Sequence, residues 1–525
     1  MPAPHDVVVV GGGHNGLVAA CYLARAGLSV LVLERLGHTG GAAVSAQAFR
    51  GHEARLSRYS YLVSVLPDAM IADLGLDLRL LSRRTASYSP LSMDGRATGL
   101  LVERPEGDAT RRSFAEVTGS DAAYEQWRAF DADVAGLAAA VAPTLMQPLP
   151  READVRAAVD ERVWRELVTT PLGLTVRERF DDDLVRGTIA TDGLIGTSVS
   201  LEDPSLVANR CFLYHVIGNG TGEWRVPVGG MGAVTTALRD RAVALGATVL
   251  TGAGVSRIDT ATDGTGATVT WDDADGRHEV AARHVLANVA PWVLRILRGE
   301  EPEPGTKPVG AQLKINLLLD RLPRLASGVD PEVAFAGTLH LDEGYAALEA
   351  AAADAAAGRL PDRIPGEVYC HSLSDPSILG PSAPAGQHTL TYFGLHTPSH
   401  LFEGPDAEAV KAEAVRRALA GLQRHLAEPL EDCLARDADG ALCLEARTPP
   451  DLERELALPG GHIFHGDLDW PWASSRAALD TPAQRWGVQT DADPVLLCGS
   501  GARRGGAVSG LGGHDAARAV LEARG

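Results

Sequence analysis

The start of the chain alternates between apolar runs and an amphipathic stretch. Residues 6–10 contain four consecutive valines, which is typical of a buried parallel strand. Residues 15–26 have the apolar spacing of a helix, and residues 29–33 form a second apolar run. Because a strand, a helix and a strand follow one another within about thirty residues, the pattern predicts a βαβ unit.

The rest of the chain predicts a helical lobe and a second nucleotide-fold block. Apolar residues at spacings of three and four over 114–141 and 152–167 predict the helices of the lobe. Residues 229–259 predict a helix that ends at Gly246 and a pair of strands. The other predicted elements are an exposed strand at 267–271, a strand at 284–287, mixed strands and helices over 305–465, a solvent-flanked Ala-rich helix at 346–357, a strand at 494–498 and a closing helix at 515–523.

A glycine-rich turn joins the first strand to the first helix. Gly11, Gly13 and Gly16 stand where glycine permits a tight turn, close approach of the backbone to a pyrophosphate, and contact between helix and sheet. The helix N-terminus offers unpaired N–H groups to the diphosphate, and Glu34 ends the second strand, where a carboxylate can accept both ribose hydroxyls. These features predict binding of the ADP half of a dinucleotide. They leave FAD and NAD open, although the glycine pair Gly40-Gly41 favours contact with a flavin ribityl chain.

Composition narrows the classes of function. A chain of 525 residues exceeds what one hydrophobic core usually organises, so two domains are expected. The formal charge of −20 repels phosphate backbones and argues against nucleic acid as a partner. The six cysteines include no CxxC pair, so the sequence predicts neither a redox-active dithiol nor a zinc knuckle. No apolar run approaches the roughly 20 residues of a membrane helix, and the first one lacks a basic segment before it, so a cytoplasmic protein is expected.

The motifs resemble those of a known family. VVVVGGGHNGLVAACYLARAGLSVLVLER, followed by GGAAVS, resembles the phytoene desaturase-like branch of the amine oxidase and GDP-dissociation-inhibitor fold superfamily. Residues 229–233, 497–501 and 505–511 resemble its mid-chain and C-terminal flavin motifs. Within that branch, RYSYLVSVLP and GGHIFHGDLDWPW are most similar to the subgroup of pyridine nucleotide-disulphide oxidoreductase domain protein two.

The resemblance implies FAD as the cofactor and a set of residues that hold it. It places the strand near Val255 at the adenine, and Gly510 and Leu511 near the isoalloxazine ring, with the last helix aimed at the pyrimidine edge. Arg503-Arg504 stand where His-Pro is frequent in the family, and we expect them in solvent, with an anionic flavin edge or substrate as the alternative. The expected cofactor-binding residues are Gly11, Gly13, His14, Asn15, Gly16, Glu34, Arg35, Gly40, Gly41, Ala42, Val255, Gly499, Gly510 and Leu511.

Two residues are candidate catalytic groups. Lys314 lies in an apolar strand that resembles the one placing a lysine over flavin N5 in amine oxidase relatives, where it holds a water; an exposed edge position is the alternative. His465 lies in the loop-like segment 460–472, whose histidines, aspartates and tryptophans are suited to line a substrate cavity and to supply an acid or base. The spacing of this segment suits neither a zincin nor a facial triad, so no metal site is expected.

The sequence thus predicts an α/β protein with a Rossmann-type FAD-binding domain and an interleaved α+β substrate domain. The first is expected from residues 1–80, 222–304 and 488–525, and the second from residues 81–221 and 305–487. The predicted function is an FAD-dependent oxidoreductase that desaturates or dehydrogenates an apolar or amphipathic small molecule by hydride transfer to flavin N5. Carotenoid ketolase-type oxygenation and a non-catalytic binding protein like the GDP-dissociation inhibitors are the alternatives. Peripheral membrane contact and a homo-oligomer stay open.

Overall fold

The computed structural model describes residues 5–303 and 305–524. The strands of this part of the chain fall into two large sheets and two short pairs. In chain order they are β1 (His5–Val10), β2 (Val30–Glu34), β3 (Ser45–Gln47), β4 (Arg55–Ser57), β5 (Leu80–Leu81), β6 (Thr85–Met93), β7 (Arg96–Glu103), β8 (Val226–Pro227), β9 (Thr248–Thr251), β10 (Gly254–Thr260), β11 (Ala267–Asp273), β12 (Gly276–Ala287), β13 (Leu313–Leu319), β14 (Thr338–Leu341), β15 (Gly366–Tyr369), β16 (His388–Gly394), β17 (Leu444–Arg447) and β18 (Val495–Leu497).

The helices lie on and between these sheets. In chain order the α-helices are α1 (His14–Arg25), α2 (Asp68–Leu74), α3 (Asp108–Thr118), α4 (Asp121–Val141), α5 (Glu152–Ala157), α6 (Glu161–Trp164), α7 (Leu172–Arg179), α8 (Asp183–Ala190), α9 (Val207–Val216), α10 (Met231–Ala244), α11 (Pro291–Leu297), α12 (Pro331–Ala334), α13 (Tyr345–Ala356), α14 (His371–Ser374), α15 (Ala407–Gln423), α16 (Pro449–Leu456), α17 (Pro482–Arg485) and α18 (Leu511–Ala523).

The first sheet has the order β10-β11-β12-β1-β2-β9, with β18 also paired to β12. Strand β1 lies between β2 and β12 and is parallel to both, with Val8 opposite Leu31 on one side and Val285 on the other. Both faces of this strand are covered, which explains its unbroken valines. Helices α10 and α18 pack against α1. The predicted βαβ unit is therefore confirmed.

The second sheet has the order β17-β13-β16-β15-β14-β6-β7. Its pairs are antiparallel except for β14 with β6. Every residue of β13 is buried, because β13 lies inside the sheet between β17 and β16. An edge position for Lys314 is therefore wrong. The strands of the first sheet come from residues 5–34, 248–287 and 495–497, and those of the second from 85–103 and 313–447. The exact domain boundaries stay a prediction.

Some predicted elements differ from the observed ones for identifiable reasons. The predicted helix over 114–141 is two helices, α3 and α4, because Gly119 takes a left-handed φ of 72° between them. Strand β11 is buried rather than exposed, since it lies between β10 and β12. Helix α13 has solvent on one side only, and its other side, which includes Leu348, is buried. Helix α18 begins four residues earlier than predicted, because Gly512 and Gly513 belong to it.

None of the helices in residues 5–303 and 305–524 is both long and apolar enough to cross a membrane.

Candidate functional site

A cleft opens at the carboxyl ends of β1 and β2, where the glycine-rich turn begins α1. This is the edge at which parallel α/β sheets bind ligands. The wall of the cleft includes many of the residues that the sequence predicts to bind the cofactor. These are Gly11, Gly13, His14, Glu34, Arg35, Gly41, Ala42 and Val255.

The glycines of the turn leave no room for a side chain. A Cβ on Gly11, whose φ is 101°, would lie 2.8 Å from the carbonyl oxygen of Asn288. A Cβ on Gly16 would lie 2.4 Å from the carbonyl oxygen of Gly11. Both neighbours are backbone atoms, so they cannot move aside cheaply. The close packing brings bare backbone and the start of α1 to the cleft, which is the cradle that a pyrophosphate needs.

Glu34 is fixed at the cleft by two backbone donors. Its side chain accepts hydrogen bonds from the N–H of Gly12 at 2.8 Å and from the N–H of Leu36 at 2.7 Å. The residue is only 7% exposed. Each carboxylate oxygen has a second lone pair, so the group still has acceptor capacity for ribose hydroxyls. The carboxylate is thus held in one orientation before any ligand arrives.

The other predicted cofactor-binding residues support the wall from behind rather than lining it. Gly40 donates its N–H to the carbonyl of Gly12 at 2.9 Å, and Asn15 donates its side-chain amide to the carbonyl of Gly505 at 3.1 Å. Gly510 is the N-cap of α18, in the left-handed region with φ of 73°. Gly16, Gly499 and Leu511 lie in the same supporting layer, and their roles toward the cofactor stay predictions.

The cleft also contains residues that the sequence analysis missed. Asn288 donates its side-chain amide to the carbonyl of Gly11 at 2.9 Å and follows β12 directly. Its place after a predicted strand could have indicated it, because the carboxyl ends of neighbouring parallel strands meet at one edge. The others include residues 59–62 and 507–508, which lie in segments noted above only for their family resemblance, and residues in 452–458, for which the sequence analysis had no signal. Val255, Val293, Leu297, Leu452 and Leu456 supply an apolar surface suited to a flat aromatic ring.

A second cavity, here called the inner cavity, adjoins the cleft. Its volume is about 370 Å³, and Ile195, His215 and Trp224 line both spaces. The wall is apolar over much of its area and polar at one end. The apolar part includes Trp127, Phe130, Val134, Ala138, Ile189, Ile195, Phe212 and Trp224, and the polar end includes Arg83, Asp192, His340, Glu367 and Tyr369.

The polar end of the inner cavity concentrates buried carboxyl groups. Burial raises the pKa of Glu367 to about 8 and that of Asp192 to about 6. Tyr369 donates a hydrogen bond to Glu367, and the imidazole of His340 is hydrogen-bonded to Glu343. The Tyr369 ring also stacks on Tyr61, which lines the cleft, with ring centroids 4.8 Å apart. Aromatic rings therefore separate the carboxyl groups from the cleft.

Lys314 does not lie in the wall of the cleft. Its ammonium group donates to the carbonyls of Ser57, Tyr59 and Ser60 at 2.7–2.9 Å and lies 5.8 Å from the ring centroid of Tyr61. Burial lowers its pKa, whereas the three carbonyl acceptors favour the ammonium form, which alone carries three hydrogens. Lys314 thus holds the segment that lines the cleft, and its catalytic role stays a prediction.

His465 lines the cleft and not the inner cavity, so the substrate-lining role expected of its segment stays a prediction. The residue has a left-handed φ of 67°, and its Nδ1 has no hydrogen-bond partner among the described residues. Burial lowers the pKa of His465 to about 3, so the imidazole is neutral near pH 7. The neighbouring His462 is buried as well, 3.7 Å from a carboxylate oxygen of Asp467.

The expectation that Arg503 and Arg504 lie in solvent is wrong. Arg504 is 1% exposed and donates to the carbonyls of Leu145 and Pro471 at 3.1 and 3.2 Å. Arg503 donates to the carbonyl of Trp472 at 2.9 Å and pairs with Asp469. Both guanidinium groups therefore bind other parts of the protein. These partners could not be predicted from the sequence, because they lie in segments distant from residues 503–504.

Comparisons with known proteins agree with this geometry. A family model described as flavin containing amine oxidoreductase matches residues 16–433. The chain is similar to an uncharacterised protein of Mycobacterium tuberculosis, with 49% identity over 526 residues, 98% of this chain and 97% of that protein. It is also similar to pyridine nucleotide-disulfide oxidoreductase domain-containing protein 2 of Mus musculus, with 31% identity over 572 residues, 98% of this chain and 93% of that protein.

A likeness of fold extends to solved structures. A variant of putrescine oxidase matches with a TM-score of 0.59 and 20% identity, over 99% of this chain and 99% of that chain. The two-domain α/β architecture predicted from the sequence is thereby confirmed. The chain therefore belongs to the family of flavin-containing amine oxidoreductases, and its cofactor is FAD.

Proposed function

We propose that this FAD-dependent oxidoreductase dehydrogenates an apolar or amphipathic small molecule bound in the inner cavity. The observation that carries the proposal is the junction at Ile195, His215 and Trp224, where the inner cavity meets the cleft. The apolar wall suits a hydrocarbon body, and the polar end suits a hydroxyl or other polar head. A cytoplasmic location belongs to the same proposal.

The chain's own residues supply binding and orientation. When bound, FAD accepts a hydride at N5, and this requires positioning more than a side-chain nucleophile. Trp224 lies at the junction, and Tyr61 lines the cleft beside it with its ring nearly parallel at a centroid distance of 6.2 Å, so the two rings narrow the approach of a substrate. His465 in the cleft is a neutral imidazole that can hold a proton from the substrate. Because burial is what lowers its pKa, the imidazole is a weak base, and its part as proton acceptor belongs to the proposal.

The test is anaerobic reduction of the bound flavin. Polyenes, terpenoid alcohols and small hydrophilic amines are added separately to the holoprotein, and the visible flavin absorbance is followed. We expect bleaching by the apolar or amphipathic compounds, with products that have lost two hydrogens by mass spectrometry. In a parallel aerobic incubation, a product that has gained oxygen would support ketolase-type oxygenation instead. A protein that binds these compounds without bleaching would support a binding protein.

A pair of variants on α4 tests whether the inner cavity is the substrate site. Ala135 and Ala139, one turn apart, are both exposed, but only Ala135 lines the inner cavity. A bulky side chain at the first position obstructs the cavity without touching the cleft. We expect A135W to slow flavin reduction at least about tenfold with unchanged flavin content, and A139W to behave like the parent protein. Equal rates in the two variants would place the substrate elsewhere.

A further inference from the structure

Three buried side chains meet behind the polar end of the inner cavity. His340 of β14 and Glu367 of β15 stand directly opposite each other in an antiparallel pair. Asp342, with a left-handed φ of 55°, turns the chain after β14 so that Glu343 reaches back to Nδ1 of His340. One nitrogen or oxygen from each of the three residues lies within 4.8 Å of the others. Strand register and the turn thus assemble the group before any ligand binds.

One carboxylate oxygen in this group lacks a donor. Glu343 is 2% exposed, and its Oε1 has no hydrogen-bond partner among the described residues. In Glu367, one oxygen accepts from Tyr369, and the other lies 3.9 Å from Nδ1 of His340. A buried carboxylate oxygen without a partner is costly. At this oxygen the site therefore lacks a proton or a cation, and the Thr191 hydroxyl is the neighbouring protein donor.

The balance of charge points in the same direction. The carboxyl groups of Asp192, Glu343 and Glu367 surround His340, and the nearby cation is Arg83. Arg83 donates to the carbonyl of Trp224 at 3.1 Å and to the hydroxyl of Thr338 at 2.9 Å, so its hydrogens are directed at least partly away from the group. If all three carboxyl groups were ionised, they would exceed the one guanidinium by two negative charges, which either bound protons or a divalent cation balances.

We propose that His340, Glu343 and Glu367 form a binding site for a divalent first-row transition-metal ion, with Zn²⁺ as the best fit. Imidazole nitrogen and carboxylate oxygen are ordinary ligands of Zn²⁺, which prefers four ligands. Three protein ligands leave a fourth position, and Asp192 lines the inner cavity together with His340 and Glu367. Tyr369 orients the Glu367 carboxylate from behind, as second-layer partners do in metal sites.

The first experiment measures Zn²⁺ binding to the untagged holoprotein. The protein is dialysed against a chelator and then against metal-free buffer, and Zn²⁺ is added in a calorimetric titration. We expect one Zn²⁺ per chain. X-ray absorption at the zinc edge is expected to show nitrogen and oxygen ligands at about 2.0–2.1 Å. Absence of binding, or sulfur ligands at about 2.3 Å from the cysteines, would overturn the proposal.

Isosteric variants locate the ion. E343Q and E367Q keep the size of each side chain and remove one carboxylate, so we expect each to weaken Zn²⁺ binding at least about tenfold. H278Q is the matched control, because His278 forms a half-exposed pair with Asp273 at 2.8 Å on the protein surface. Circular dichroism checks that each variant is folded. If a variant unfolds, the number of Zn²⁺ ions bound by the wild-type protein and the type of their ligands still test the proposal. Equal affinity in E343Q and H278Q would mean surface-bound zinc and would sink the assignment.

Flavin content provides an independent control. The three proposed ligands lie outside the wall of the cleft, so we expect E343Q to retain FAD at the wild-type ratio. The metal site is thus tested separately from the proposed dehydrogenation. Loss of flavin together with zinc would show that the substitution disturbs the whole fold. The comparison of E367Q with H278Q would then test the site.

Discussion

At the scale of single residues, the cleft depends on positions where the backbone itself occupies the space of a side chain. Gly11 and Gly16 face carbonyl oxygens at 2.8 and 2.4 Å from an added Cβ. Gly37 lies close by in sequence, and none of the described atoms comes within 4 Å of its added Cβ. The sequence alone does not distinguish these glycines, but among them only at Gly11 and Gly16 does the structure leave no room for a Cβ atom.

This difference makes a matched pair of substitutions. G16A forces a methyl group against the backbone and costs about 1–3 kcal/mol. Because 1.4 kcal/mol corresponds to a factor of about ten, we expect FAD to bind at least several-fold more weakly. G37A is expected to retain FAD. The measurement is the ratio of visible flavin absorbance to protein absorbance after dialysis, and full retention by G16A would contradict the role assigned to the turn.

Lys314 supports the same cleft by holding the segment that contains Tyr59 and Ser60. K314M leaves the carbonyls of Ser57, Tyr59 and Ser60 without their donor, which costs about 3 kcal/mol or more in the free energy of unfolding. K307M is the control, since Lys307 is exposed and only pairs with Glu453. We expect its effect to stay within about 0.5 kcal/mol. Urea denaturation measures both, and a K314M protein as stable as K307M would exclude the structural role.

His215 is expected to make the protein sensitive to mild acid. Its Nδ1 is bonded to the carbonyl of Cys211 at 2.7 Å, its ring stacks on Trp224, and burial lowers its pKa to about 4. The unfolded chain has a histidine pKa of about 6.5, so it binds a proton that the folded protein excludes. Stability from this group is complete above about pH 6.5 and is lost as the pH falls toward 4.

Comparison of variants isolates this contribution. By about pH 5, the neutral His215 accounts for roughly 2 kcal/mol of lost stability relative to pH 7.5. We expect H215N to show a smaller loss over this interval than H278N, whose histidine is half-exposed. Urea denaturation at both pH values gives the difference, and parallel pH profiles would show that His215 is not the source.

At the scale of secondary-structure elements, local pattern predicted most of the first sheet and missed features set by distant contacts. The valines of β1 and the glycines before α1 carry their signal within a few residues, so the βαβ unit was predictable. The true start of α18 was not, because Gly513 packs so closely on α1 that its added Cβ would lie 1.8 Å from the carbonyl oxygen of Asn15. Inside a helix such glycines are ordinarily breakers.

Arg504 connects three elements and allows a test at this scale. Its guanidinium group contacts Leu145 in the segment after α4 and Pro471 in the segment before Trp472. It also lies 3.9 Å from Asp515 of α18. R504M removes the donor to the carbonyls of Leu145, Gln147 and Pro471 and the cation beside Asp515, so we expect the free energy of unfolding to fall by about 3–5 kcal/mol. R476M, at an exposed position, is expected to change it little. Equal stability of the two variants would contradict the connecting role.

At the scale of the whole molecule, the candidate site could be predicted only in part. The ADP half of the cleft follows from one continuous motif. The inner cavity unites Arg83, Asp192, His340 and Glu367, which no spacing rule brings together. The group formed by His340, Glu343 and Glu367 depends on strand register, so no sequence motif indicates the proposed metal site.

Removal of FAD should loosen segments that are far apart in sequence. The cleft wall includes residues near 11–14, 34–42, 288–297, 452–465 and 500–508. FAD binds only when these segments are folded together, so it stabilises their folded arrangement. A ligand at a hundred times its dissociation constant adds about 2.7 kcal/mol of stability. We therefore expect the apoprotein to melt at a lower temperature and to exchange amide hydrogens faster in these five segments. Uniform exchange across the molecule would contradict this arrangement.

The parallel pairing of β1 with β12 also sets an order of events during synthesis. Gly11 and the side chain of Asn288 are 277 residues apart, yet they are hydrogen-bonded at the floor of the cleft. At about 5–20 residues per second, the ribosome needs roughly 15–55 seconds to make the missing partner. During that time the four valines of β1 have one open edge, which can pair with a strand of another chain. The nascent chain is therefore expected to need a chaperone over this interval, and low temperature, which slows elongation, would prolong its exposure.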